Sequence, residues 1–129
     1  MQMEAMAIVT IAALLQYMLF GVQVGQMRVK HGVKAPSVTG DSEFERAFRV
    51  QQNTMEQLVV VLPAMWIFGS FFNPYYAAGL GVVFIIGRIV YRASYLKDPS
   101  TRSKGFGIGV MATFALLLGG LVGAVMQLI

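Results

Sequence analysis

Glu43–Glu56, EFERAFRVQQNTME, places Arg46, Arg49, Asn53 and Glu56 at spacings of three, four and three residues. On a helix of about 3.6 residues per turn these four share one face, opposite Ala47, Met55 and Leu58. The helix they open stays apolar to Phe72. At about 1.5 Å per residue, Glu56 lies roughly 18 Å along the axis from Phe44, so part of the polar face reaches hydrocarbon depth. Unpaired charges are costly there, so this face must meet partners rather than lipid.

The 129 residues, with 57% hydrophobic and 12% charged content, exclude a soluble domain and leave no room for two domains. Residues 1–129 are expected to form one all-α membrane domain. A bilayer core of roughly 30 Å needs about 20 apolar residues per helical crossing, and four crossings fit, near 4–26, 44–72, 74–96 and 105–129. The start, Met1-Gln2-Met3-Glu4, lacks the positive region of a cleavable signal, so the first span is expected to be retained. Gly21 and Gly25 suit close helix packing, as do Gly105, Gly107, Gly109, Gly119, Gly120 and Gly123 in the last span.

The breaks have their own chemistry. Lys30–Asp41 contains Gly32, Pro36, Ser37, Thr39 and Gly40 and is expected to form the longest loop. Asp41 or Ser42 can cap the second helix, with Glu43 and Glu45 in its first turn favouring the positive dipole end. Pro63 is expected to kink that helix. Asn73-Pro74 makes a very short turn, with proline suited to the first helical position, so helices two and three are antiparallel neighbours.

All ten basic residues (Arg28, Lys30, Lys34, Arg46, Arg49, Arg88, Arg92, Lys97, Arg102 and Lys104) fall at one end of such a bundle. Membranes retain such charge in the cytoplasm, which places both basic loops on that side and both termini opposite. Lys30, Lys34 and Lys97 are expected to orient the bundle and contact lipid headgroups. A pI near 9.7 without a nucleic-acid-binding motif argues against nucleic acid as a partner. The absence of cysteine excludes disulfides and an enzymic thiol, and the single histidine, His31, has too few ligand neighbours for a metal.

Helix three presents Arg88, Tyr91, Arg92 and Tyr95 on one face, and the short turn brings it beside helix two. A pocket there offers guanidiniums for carboxylates, the Glu56 carboxylate for an ammonium, the amides of Gln51 and Asn53, and two phenols, which suits a small zwitterionic peptide with extra carboxylates. Pairing of Arg49 and Arg88 with Glu56 across helices or subunits is the competing account, and interfacial packing is the competing account for the tyrosines. Four arginines against one deep carboxylate leave positive charge for an anion.

The pattern E-R-x-x-R-x-x-x-N-x-x-E from Glu45 to Glu56, with R-x-x-Y-x-x-x-Y from Arg88 to Tyr95, resembles the MAPEG family, the membrane-associated proteins in eicosanoid and glutathione metabolism. The resemblance covers nearly the whole chain. It implies a homotrimer of four-helix subunits with glutathione held between neighbours near the cytosolic side. Arg49, Asn53 and Glu56 match glutathione-holding positions, Gln51 fits the same role, and Arg28, Arg88, Tyr91 and Tyr95 match further contacts. Arg92 joins the binding set through its place on the helix-three face. Arg102 matches the arginine that activates the thiol, and Ser103 resembles the serine of the prostaglandin E synthase branch.

The resemblance thus implies a glutathione transferase in which glutathione supplies the thiol and attacks a hydrophobic electrophile from the lipid, with peroxidase or isomerase activity beside it. A lipid hydroperoxide is then a further substrate. Gln57 stands where the leukotriene C synthase branch has tyrosine, and Val29 follows Arg28 where a second arginine stands, so a general transferase is expected rather than a dedicated eicosanoid enzyme. A non-catalytic lipid-binding scaffold of the same family is the alternative. A small multidrug transporter fits less well, because its key glutamate belongs within helix one, where this chain has only Glu4 at the edge.

Overall fold

A computed structural model describes residues 3–129. Four long helices carry it: α1 (Glu4–His31), α2 (Ser42–Phe71), α3 (Pro74–Lys97) and α4 (Ser103–Leu128), with a 3-10 turn at Pro99–Thr101 before α4. All four are long and apolar enough to cross a membrane, and no strand occurs among the described residues. The chain is an all-α, multi-pass membrane protein.

The helix ends follow local chemistry. Asp41 accepts from the Glu43 and Phe44 amides at 2.8 and 3.4 Å, and Asn73 does the same for Tyr75 and Tyr76 at 2.9 and 3.0 Å. Pro74 takes the first position of α3. Asp41→Ala is expected to cost about 0.5–2 kcal/mol, the usual worth of such a cap, seen as a lower melting temperature in detergent.

Several helix ends differ from the sequence expectation by one or two residues, such as the start of α2 at Ser42 rather than Phe44, and the end of α1 differs by five. α1 runs to His31 rather than Gln26, because Arg28, Lys30 and His31 favour the negative end of the helix dipole and Gly32 closes it at φ 67°. At about 1.5 Å per residue a 28-residue helix exceeds the hydrocarbon core, so its last turns project beyond it. α4 starts at Ser103 rather than Gly105, following the 3-10 turn that Asp98 caps through the Ser100 amide and hydroxyl at 3.1 and 2.9 Å. The Ser100 backbone N–H, with its hydroxyl, holds the Asp98 carboxyl below the usual carboxylate range.

α1 lies against α2 and α3, and α4 against the same pair. The mid-bundle core packs Met6 and Ala13 with Leu58, Val61, Met65, Phe68, Phe84 and Leu116. Nearer the basic end, Val24, Val33, Phe44 and Ala47 form a second cluster that seats the α1–α2 loop. Arg46 donates to the Leu96 carbonyl at 3.2 Å, which ties the start of α2 to the end of α3 and sets the walls of the site.

Candidate active site

Between α2, α3 and the start of α4 lies a cavity of about 590 Å³, lined by Arg49, Asn53, Tyr91, Tyr95, Arg102, Ser103 and Phe106. Its geometry begins with helical spacing. Arg49 and Asn53 are four apart, as are Tyr91 and Tyr95 and again Arg102 and Phe106, so each pair presents two groups to one side.

Small residues bring the walls together. A methyl group added at Gly105 would overlap the Tyr91 backbone, and one at Gly87 would sit 2.9 Å from the Gly109 nitrogen. The α3 and α4 backbones therefore touch beside the cavity. This contact fixes the Tyr91 ring between Tyr95, stacked at 5.5 Å, and Phe106 at 6.4 Å.

Arg88 sits beneath this wall and is 1% exposed. Its guanidinium lies 4.2 Å from the Tyr91 ring centre and donates to Thr54 Oγ1 at 2.9 Å, while Thr54 donates to the Val50 carbonyl at 2.7 Å. Arg88 is therefore tied to α2 through a hydroxyl, and no ion pair to Glu56 forms among the described residues. Arg88 Nε and Asn53 Oδ1 are both buried without a hydrogen-bond partner in the protomer. Such groups are rare in folded proteins, and each leaves hydrogen-bonding capacity open beside the cavity.

Six of the eleven residues singled out from the sequence, Arg49, Asn53, Tyr91, Tyr95, Arg102 and Ser103, line the one cavity. Arg88 adjoins it from below, and Glu56 lies exposed on the outer side of α2, one helical turn beyond Asn53. The other three face elsewhere. Arg28 covers the Phe44 ring at 4.8 Å and donates to the Ser37 carbonyl at 2.7 Å. Gln51 reaches toward α1, where a methyl group at Gly21 would stand 2.9 Å from its side-chain nitrogen. Arg92 lies over the Phe20 ring at 5.7 Å, in a separate cleft. Phe106 was not singled out from the sequence, although its position four residues after Arg102 puts it on the same helix face. No group of three or more metal-ligating side chains occurs among the described residues.

Arg102 stands at the N-terminal end of α4 and donates to the Pro99 carbonyl at 2.9 Å, leaving further N–H groups for a ligand. Two arginines, the positive end of a helix and two phenols thus converge where no described carboxylate answers them, an arrangement that stabilises an anion.

Comparison with known proteins identifies relatives over most of the chain. Human microsomal glutathione S-transferase 2 is 40% identical over 87% of this chain and 78% of its own length. Leukotriene C4 synthase of Cavia porcellus is 31% identical over 90% of the chain and 77% of that protein. The uncharacterized protein sll1147 of Synechocystis is 39% identical over 95% and 89%. The MAPEG family pattern runs through residues 6–122, from the first core methionine to the last turns of α4, and the chain belongs to the MAPEG family.

Proposed function

We propose that the protein is a membrane-bound glutathione S-transferase that ionises the glutathione thiol and directs it at hydrophobic electrophiles arriving from the bilayer. The observation that carries this is the convergence of Arg102 and Ser103 with Arg49, Asn53, Tyr91 and Tyr95 around one cavity. The relatives named as glutathione transferases support the same chemistry.

Each residue has a task. Arg49 takes a glutathione carboxylate, and Asn53 Oδ1, buried and unpartnered, takes an amide or ammonium proton. Tyr91 and Tyr95 donate from their phenols, and Arg88 positions Tyr91 from beneath. The Arg102 guanidinium stabilises the sulfur anion at the start of α4, with Ser103 donating a hydrogen bond. The thiolate attacks the electrophile, the carbon–sulfur bond forms and the leaving group departs. With a lipid hydroperoxide, the thiolate attacks the terminal peroxide oxygen and the O–O bond breaks, so that the lipid leaves as its alcohol after taking a proton and the sulfur becomes a sulfenic acid. A second glutathione thiol attacks that sulfur, forming glutathione disulfide and releasing water.

The working unit is a homotrimer. Glu56 lies exposed on a protomer face that also bears Val59 and Ile67, and no described cation pairs with it. A lipid-facing carboxylate in mid-span is costly, so this face belongs against another subunit, whose Arg28 and Gln51 complete the glutathione site. The basic end is cytoplasmic by its charge.

Calorimetry in detergent is expected to show glutathione binding, with turnover on a generic aromatic electrophile. Absence of turnover would reject the transferase reading, and absence of both binding and turnover would favour a lipid-binding scaffold. Glu56→Ala is expected to weaken glutathione binding roughly tenfold, as loss of a hydrogen bond to a charged group does, or to break the trimer in native mass spectrometry. If affinity and assembly both survive, Glu56 has neither role.

A further inference from the structure

A second, smaller cleft of about 230 Å³ opens between α1, α2 and α3, lined by Gln23, Gln26 and Met27 of α1, Glu43 of α2, and Arg92 and Leu96 of α3. It lies about 100° round α3 from the Tyr91 wall, since consecutive helical residues are rotated by that angle.

Two polar groups in it lack complements. Arg92 has no carboxylate within ion-pair range among the described residues, and the other charged residue in the lining, Glu43, is already held by Lys30 at 2.9 Å and His31 at 2.7 Å. The guanidinium instead lies over the Phe20 ring at 5.7 Å. Gln23 Oε1 is buried and receives no hydrogen bond. One group calls for an anion and the other for a donor, so an occupant carrying a phosphate and an N–H or O–H a few bonds away satisfies both.

The surroundings indicate where that occupant comes from. Below Gln26 the exposed side of α1 carries Leu15, Leu19 and Val22, at 62%, 55% and 55% exposure, an apolar track leading up to the cleft. Acyl chains can lie along such a track while the phosphate sits at Arg92, where the apolar run of α1 gives way to its basic end. We propose that this cleft is a phospholipid headgroup site, with Arg92 receiving the phosphate and Gln23 accepting from a donor on the headgroup. This cleft shares no lining residue with the proposed glutathione site.

The test uses the full chain, purified and delipidated in detergent, then exposed to phosphatidylethanolamine, phosphatidylglycerol or phosphatidylcholine, with bound lipid read by native mass spectrometry. Phosphatidylethanolamine and phosphatidylglycerol, which carry headgroup donors, are expected to bind in preference to phosphatidylcholine, which has none. Arg92→Leu is expected to lower their retention roughly tenfold or more, the worth of a charge-assisted hydrogen bond, with Arg92→Lys retaining part of it. Gln23→Leu keeps the volume and is expected to erase the preference over phosphatidylcholine while leaving phosphate-dependent binding, and to raise the melting temperature of lipid-free protein. Equal lipid retention in wild type, Arg92→Leu and Gln23→Leu would overturn the proposal. So would inorganic phosphate displacing each lipid at equal concentration, which would mark a free-anion site. Loss of glutathione affinity in Arg92→Leu with lipid retention unchanged would likewise overturn it and return Arg92 to the glutathione site.

Discussion

Arg102→Leu is expected to abolish the ultraviolet thiolate signal that appears when glutathione is added, and to lower kcat roughly 100- to 1,000-fold, as removal of a donor that stabilises a developing anion does. Arg102 stands at the end of α4 beside the 3-10 turn, with one nitrogen fixed on the Pro99 carbonyl at 2.9 Å. That bond orients the guanidinium without neutralising it. Because Arg49, Asn53 and the tyrosines remain, glutathione affinity should fall far less than turnover, giving a split between kcat and the binding constant. Ser103→Ala removes a neutral hydroxyl and is expected to cost only about tenfold, near the worth of one hydrogen bond to a charged group. An undiminished thiolate signal in Arg102→Leu, with the loss falling on Ser103→Ala instead, would transfer thiol activation to the serine.

Much of this site was legible because it rests on helical periodicity. Arg49 and Asn53 on α2, Tyr91 and Tyr95 on α3, and the short Asn73-Pro74 turn between them already imply converging faces, and the structure brings them to one cavity. Periodicity does not say which neighbour a residue meets. Gln51 is two residues from Arg49, about 200° round the helix, and so it turns to α1. Arg92 departs from Tyr91 by half that angle and enters the other cleft. Thr54 gave no signal at all, since a mid-helix threonine bonded to the Val50 carbonyl looks unremarkable until Arg88 arrives from α3. The end of α1 was hidden for a different reason. Hydrophobicity stops near Gln26, whereas the helix stops where Gly32 supplies a left-handed cap.

Density of glycine in the last span indicated close packing but not which glycines carry it, and Gly105→Ala against Gly107→Ala separates them. A methyl group at Gly105 would fall within the Tyr91 backbone and 2.8 Å from the Gly87 carbonyl oxygen, whereas at Gly107 it meets nothing within 4 Å. Both obstacles at Gly105 are backbone, which cannot swing aside as a side chain does, so α4 must move away from α3. Overpacking costs about 1–3 kcal/mol, and the upper end is expected here. The same shift carries Arg102, Ser103 and Phe106 away from Tyr91, so turnover should fall with stability. Gly107→Ala keeps the contact and removes a flexible residue from a helix, which is expected to add about 0.5–1 kcal/mol. Thermal unfolding in detergent should therefore move in opposite directions for two substitutions two residues apart. Equal shifts would mean that α3 and α4 do not meet at Gly105, and the wall holding Tyr91 against Phe106 would have to be built another way.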